Sequence, residues 1–121
     1  MAYITQEEKK EKSPKIKAIL KKHGFTGSLS IQNYSTLVLS ISKGADVFAD
    51  YLNSTEKDYI EVNQYTFKRM FTGKTLALLT EIMPVLNEGN YNNSDVQSDY
   101  FDVGFYVSVS FGKWNKPYQI I

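Results

Sequence analysis

Thr72-Gly73-Lys74-Thr75 carries the ending of a phosphate-binding loop, and nucleotide chemistry is what such a segment would serve. The full loop needs a second glycine at position 68, where Lys68 stands, so the backbone amides cannot cradle two phosphates. The segment reads instead as a helix start whose dipole and Lys74 offer a weak anion site at most. Gly24 and Gly27 are too sparse for a dinucleotide fingerprint. Asp95, Asp99 and Asp102, near Asn90, Asn92, Asn93 and Ser94, are oxygen ligands of the kind that hold calcium or magnesium. Their spacing does not match an EF-hand and no bidentate glutamate closes it, so no metal is assigned. The same residues also fit an Asx-rich loop that caps its own amides, or a negative recognition flank. His23 is the only histidine and falls in the last turn of a basic helix, where the dipole accounts for it; it becomes a base only if folding sets Asp95, Asp99 or Asp102 beside it. No serine or tyrosine sits in a nucleophile turn, and there is no cysteine. The expectation is a protein without catalytic residues or cofactor: not an enzyme.

Binding chemistry is better represented. In the tail GKWNKPYQII, Trp114 and Tyr118 are large anchors of the type that dominate interfaces, Pro117 stiffens the backbone between them, and Lys113 and Lys116 add charge. These four residues are the expected protein-binding contacts, with Asp95, Asp99 and Asp102 as a charged flank. The opposing reading is that Trp114 and Tyr118 pack back on their own domain. Tyr91, Tyr100 and Tyr106 lie in the same region, and an exposed Tyr106 face would extend the recognition surface onto a sheet.

The alternative is a nucleic-acid surface. Lys9, Lys10, Lys12, Lys15, Lys17, Lys21 and Lys22 against Glu7, Glu8 and Glu11 give the first 24 residues a net charge of +4, while the rest of the chain carries −3. Seven lysines on one helix can meet phosphates, although Arg69 is the only arginine and bidentate phosphate recognition relies on arginine. The bland reading is a solvated lysine face interleaved with glutamates.

The elements that must position these residues follow from periodicity. Thr5 and Glu8 form a capping box opening a helix to His23, kinked or broken at Ser13-Pro14, with Ile16, Ile19 and Leu20 inward and Gly24 as its stop. From Thr26 the period becomes two: Leu29 and Ile31, then Leu37, Leu39 and Ile41 after Asn33-Tyr34-Ser35, predict an antiparallel hairpin with one buried and one polar face. Ala45–Leu52 fits one or two helical turns, and Tyr59–Phe67 a strand. Thr72–Asn87, with Leu76, Leu79, Ile82, Met83 and Leu86 at helical spacing, is the expected core helix, and Val103–Phe111 the last strand. The sum is one small α+β domain over residues 1–121, an antiparallel sheet of about four strands packed against helices in the order α-β-β-(α)-β-α-β. Residues 1–12 and 113–121 are expected to be extended or mobile. A homodimer paired through an exposed last strand is a further expectation.

The start, MAYITQEEKKEK, has no apolar run of a signal peptide and no segment has the length to span a membrane, which predicts a cytoplasmic protein. The blocks AYITQEEKK with SPKIKAILKKHGFTGSLSI, TGKTLALL with LNEGNYNNSD, and DYFDVGFYVSVSFGKWNKPYQI together resemble a family of small, uncharacterised accessory proteins of bacteriophages and plasmids. The family is also similar to a domain of the large polyvalent proteins of mobile elements. The resemblance covers nearly the whole chain and brings no catalytic residues with it. It implies residence in the host cell and a partner that is a host or defence protein, inhibited or redirected.

Overall fold

A computed structural model describes residues 3–52, 58–90, 104–113 and 115–121. Helix α1 (Gln6–His23) is followed by strands β1 (Thr26–Gln32), β2 (Thr36–Gly44) and β3 (Ile60–Val62). Then come a single turn of helix α2 (Phe67–Met70), helix α3 (Gly73–Leu86), and strands β4 (Tyr106–Phe111) and β5 (Gln119–Ile120). The small α+β domain expected from the sequence is the one observed.

Local chemistry accounts for the first helix and its corner. The Glu8 amide donates to Thr5 Oγ1 at 3.1 Å, capping α1 as the sequence suggested. Gly24 takes φ 80°, its amide reaches Lys21 O, and the Phe25 amide reaches Leu20 O at 2.8 Å. This is the paired closure that a glycine permits at a helix end. The expected break at Pro14 is absent: the helix runs through it, because Ile16 and Leu20 beyond the proline are buried against the core, and that burial outweighs one missing backbone hydrogen bond.

The sheet runs β1-β2-β4-β3, with β5 beside the end of β2. β1 and β2 form the predicted antiparallel hairpin, with Leu29 opposite Leu39 and Ile31 opposite Leu37. Asn33 and Tyr34 at its tip both have positive φ, 54° and 59°, the twist that a tight hairpin turn prefers. The expectation of an all-antiparallel sheet is corrected. β2 and β4 are parallel, Leu39 opposite Val109, because the chain returns to the sheet through α3 as a crossover, and only β1 and β3 run antiparallel to their neighbours. β4 pairs with β2 along its whole length and with β3 over Val109, Ser110 and Phe111.

Two further segments differ from expectation. Ala45–Leu52 forms turns rather than helix, with Asp46 Oδ1 accepting from the Phe48 and Ala49 amides at 3.1 Å. The strand expected over Tyr59–Phe67 stops at Val62. Asn63 Oδ1 takes the Tyr65 amide at 2.8 Å, and Asn63 O takes the Thr66 and Phe67 amides, which turns the chain into α2.

One face of the sheet supplies the core. Leu37, Leu39, Ile41, Val109 and Phe111 are buried beneath Ile16 and Leu20 of α1 and Leu78, Leu79, Ile82 and Leu86 of α3. Phe111 lies at its centre, its ring near those of Phe25, Phe71 and Tyr118. No helix among the described residues is long and apolar enough to cross a membrane.

Candidate binding surface

Alternation along the strands leaves the second face of the sheet polar and open. Three rows cross it: Ser28, Ser40 and Ser110; Ser30, Val38 and Ser108; Gln32, Thr36 and Tyr106. Tyr106 is 51% exposed, so the face that the sequence marked as a possible extension of the recognition surface is uncovered. The rows begin beside a groove and end beside tyrosines.

At the tyrosine end, Tyr34 on the hairpin tip is 77% exposed in a backbone conformation that a bulky residue adopts only with strain. The Ile4 amide donates to Tyr34 O, the Tyr106 amide to Ser35 O, and the Tyr3 amide to Gly104 O. These bonds bring the exposed rings of Tyr3, Tyr34 and Tyr106 to one end of the domain. Asn90 fastens the same end: its Oδ1 accepts from the Phe105 amide at 2.9 Å and its Nδ2 donates to Phe105 O at 3.0 Å.

At the other end lies a groove of about 670 Å³, lined among others by Ser28, Ser40, Ser42, Lys43, Lys113 and Lys116. Lys113 and Lys116 hold each other's backbones, the Lys113 amide on Lys116 O at 2.8 Å and the Lys116 amide on Lys113 O at 3.0 Å. Gly112, at φ 77°, starts this turn, and the tail then returns alongside β2.

Of the expected protein contacts, Lys113 and Lys116 are exposed in this groove, and Trp114, Asp95, Asp99 and Asp102 lie outside the described residues. Tyr118 is corrected: it is 6% exposed, its ring packs edge-on against Phe48 and Phe111, and its hydroxyl donates to Ala45 O at 2.8 Å. Burial, with Asp46 as the lesser cause, pushes the Tyr118 phenol up from its ordinary pKa, so it stays a donor. Tyr118 holds the tail down while the lysines before it stay in solvent. The backbone of Gln119 and Ile120 likewise pairs with β2.

No family model, curated protein or solved structure matches this chain.

The basic helix, the alternative surface, is partly spent on the fold itself. Lys12 is 6% exposed; its ammonium donates to Leu86 O at 2.7 Å and Glu88 O at 2.8 Å and sits 4.3 Å from the centre of the Phe105 ring. It satisfies carbonyls at the C-terminal end of α3, where a cation also suits the dipole. Burial lowers its pKa, opposed by Glu8 and Glu88. As a phosphate contact Lys12 is therefore corrected: its charge is enclosed. Lys15 pairs with Glu88 at 3.1 Å and Lys22 with Glu81 at 3.0 Å. Lys10, Lys17 and Lys21 face solvent and Lys9 is half-buried.

His23 Nε2 lies 2.6 Å from Glu81 Oε2, so the carboxylate that folding sets beside the histidine comes from α3. The hydrogen bond from His23, then that from Lys22, holds the Glu81 carboxyl below its usual range. A depressed carboxyl pKa contributes stability above the unfolded value, near 4.5, and loses it as pH falls through the folded value. Glu81→Gln is accordingly expected to lower the urea midpoint at neutral pH, with the difference from wild type shrinking as pH falls below about 4. Urea titrations across that range check this; a difference independent of pH would show that the carboxylate charge contributes nothing.

The helix start at Gly73-Lys74-Thr75 already has its anion. Asp50 Oδ2 accepts from the Thr75 amide at 3.1 Å and from Thr75 Oγ1 at 2.7 Å, and Gly73, at φ 61°, lets that carboxylate approach. The segment that imitates a phosphate loop thus binds the protein's own side chain. Among the described residues no group of three His, Cys, Asp or Glu side chains is arranged to hold a metal ion.

Sequence reasoning missed Lys43, Tyr34 and the serines as site residues. Polar alternation was visible in each strand, but the order of the strands, which turns separate serines into rows and sets Lys43 beside Lys113, is a tertiary fact.

Proposed function

We propose that this protein is a non-enzymatic accessory protein of a bacteriophage or plasmid that binds a host or defence protein and inhibits or redirects it by covering part of its surface. The observation that carries the binding reading is the uncovered sheet face, with exposed Tyr34 and Tyr106 at one end and exposed Lys113 and Lys116 at the other. Rigid aromatic rings and charged groups on a fixed sheet suit recognition, because little ordering entropy is lost on binding. Steric blockade needs only such complementarity and no reacting group. The mobile-element setting and host-cell location rest on the resemblance of the sequence blocks. Trp114, Asp95, Asp99 and Asp102 stay in the proposed contact set on sequence grounds alone.

Affinity capture from host-cell lysate, with and without nuclease and at physiological and high salt, tests the reading. The expected result is a discrete protein that survives both treatments and is lost when Tyr34 and Tyr106 are replaced by alanine. Retention of nucleic acid alone, released by nuclease or salt, would instead favour phosphate contacts by the exposed lysines of α1.

A further inference from the structure

We infer that the basic end of the open sheet face receives an acidic, extended segment of the partner protein, an inference that rests on the protein-binding reading above. Lys43, Lys113 and Lys116 line one groove, and among the described residues its lining contains no carboxylate. The three salt bridges among the described residues involve Lys15, Lys22 and His23, so none of the groove lysines is neutralised there. A second, smaller depression shares Thr26 and Gly27 with this groove and brings Lys17 and Lys21 of α1 to the same corner, again with no carboxylate among its described lining residues. Five lysines therefore surround the start of β1 in a chain whose net charge is only +1, a local concentration that attracts a negative partner.

The chemistry of the floor narrows the class. Ser28 and Ser40 are short hydroxyl side chains that can donate to carboxylates, Ser42 donates to Thr26 O at 3.2 Å, and none of the three is bulky enough to keep an extended backbone off the sheet. A single-stranded nucleic acid would want aromatic rings on which to stack its bases and arginine to grip its phosphates. Among the described residues lining the larger groove there is neither. Lysine supplies point charge without fixed geometry, which suits carboxylates scattered along a strand.

The test is fluorescence anisotropy with a short labelled peptide of alternating Glu and Ser, beside an oligothymidylate of equal charge. Wild type is expected to bind the peptide more tightly than the oligonucleotide. The double variant Lys43→Glu with Lys113→Glu is expected to lose at least about tenfold in peptide affinity, and Lys43→Arg with Lys113→Arg to retain it. Lys9→Glu with Lys10→Glu, a charge change of the same size away from the groove, is expected to leave binding nearly unchanged. Circular dichroism of each variant establishes that it is folded. Absence of peptide binding, equal loss in the Lys9 and Lys10 control, or tighter binding of the oligonucleotide would each overturn the inference. The two readings separate in the lysate capture. A partner still held by the folded Lys43→Glu, Lys113→Glu protein would sink the acidic-segment inference and leave protein binding standing, whereas peptide binding with no captured partner would count against the protein-binding reading itself.

Discussion

Replacing Lys12 with alanine is expected to destabilise the protein by about 3 kcal/mol, a fall of roughly 10 °C in the unfolding midpoint for a domain of this size. The substitution removes the donor to Leu86 O and Glu88 O and the cation over Phe105, and it leaves carbonyls at the end of α3 short of a partner in a place water reaches poorly. Lys10→Ala, on the exposed side of the same helix, should stay within about 0.5 kcal/mol of wild type. The pair separates two roles for a lysine-rich helix. If those lysines served only to meet phosphates, both changes would weaken nucleic-acid binding and neither would move the midpoint. Thermal and urea unfolding of the two variants decide it, and a Lys12→Ala protein as stable as wild type would remove Lys12 from the fold's foundations.

Gly112→Ala is expected to cost about 2–4 kcal/mol, combining left-handed strain with a steric conflict. At φ 77° an added Cβ would stand 2.5 Å from the Tyr118 amide nitrogen and 2.9 Å from its Cβ, so either the turn or the returning tail must move. Movement would draw Tyr118 out of the core and loosen its hydrogen bond to Ala45 O. The readouts are the urea midpoint and the environment of Tyr118 followed by near-ultraviolet circular dichroism. Unchanged stability and an unchanged tyrosine signal would mean that the tail is not seated as described. Because Lys113 follows Gly112 directly, the variant should also weaken acidic-peptide binding, coupling the tail's packing to its recognition role.

What could be read from the sequence was what local chemistry dictates. Thr5 and Gly24 bracket the first helix as expected, β1 and β2 form the antiparallel hairpin, and β4 divides into an inward apolar set and an outward polar set as its alternation required. The misjudged features depend on distant partners. Pro14 weakens a helix locally, yet the burial of Ile16 and Leu20 sustains it. The direction of β4 relative to β2 is set by the path through α3, which no period in either strand records. Lys12 looks in the sequence like its six neighbouring lysines; only the end of α3 beside it makes it a structural cation. Tyr118 had the composition of an interface anchor and the location of a core residue, because Gly112 lets the chain turn back on itself. Asp50 gave no local sign that it would occupy the start of α3.

The parallel pairing of β2 with β4 has a consequence for how the chain is made. The middle of the sheet joins Thr36 to Tyr106 and Ile41 to Phe111, contacts between distant parts of the polypeptide that carry a high entropic cost of closure. On the ribosome α1 and the hairpin emerge early, but β2 keeps one flank open until β4 has left the exit tunnel. During that interval the backbone amides and carbonyls of β2 on that flank lack their sheet partners. Completion of the sheet is therefore expected to wait for β4, and nascent chains stalled before β4 should be digested readily by protease whereas chains with β4 outside the ribosome resist it.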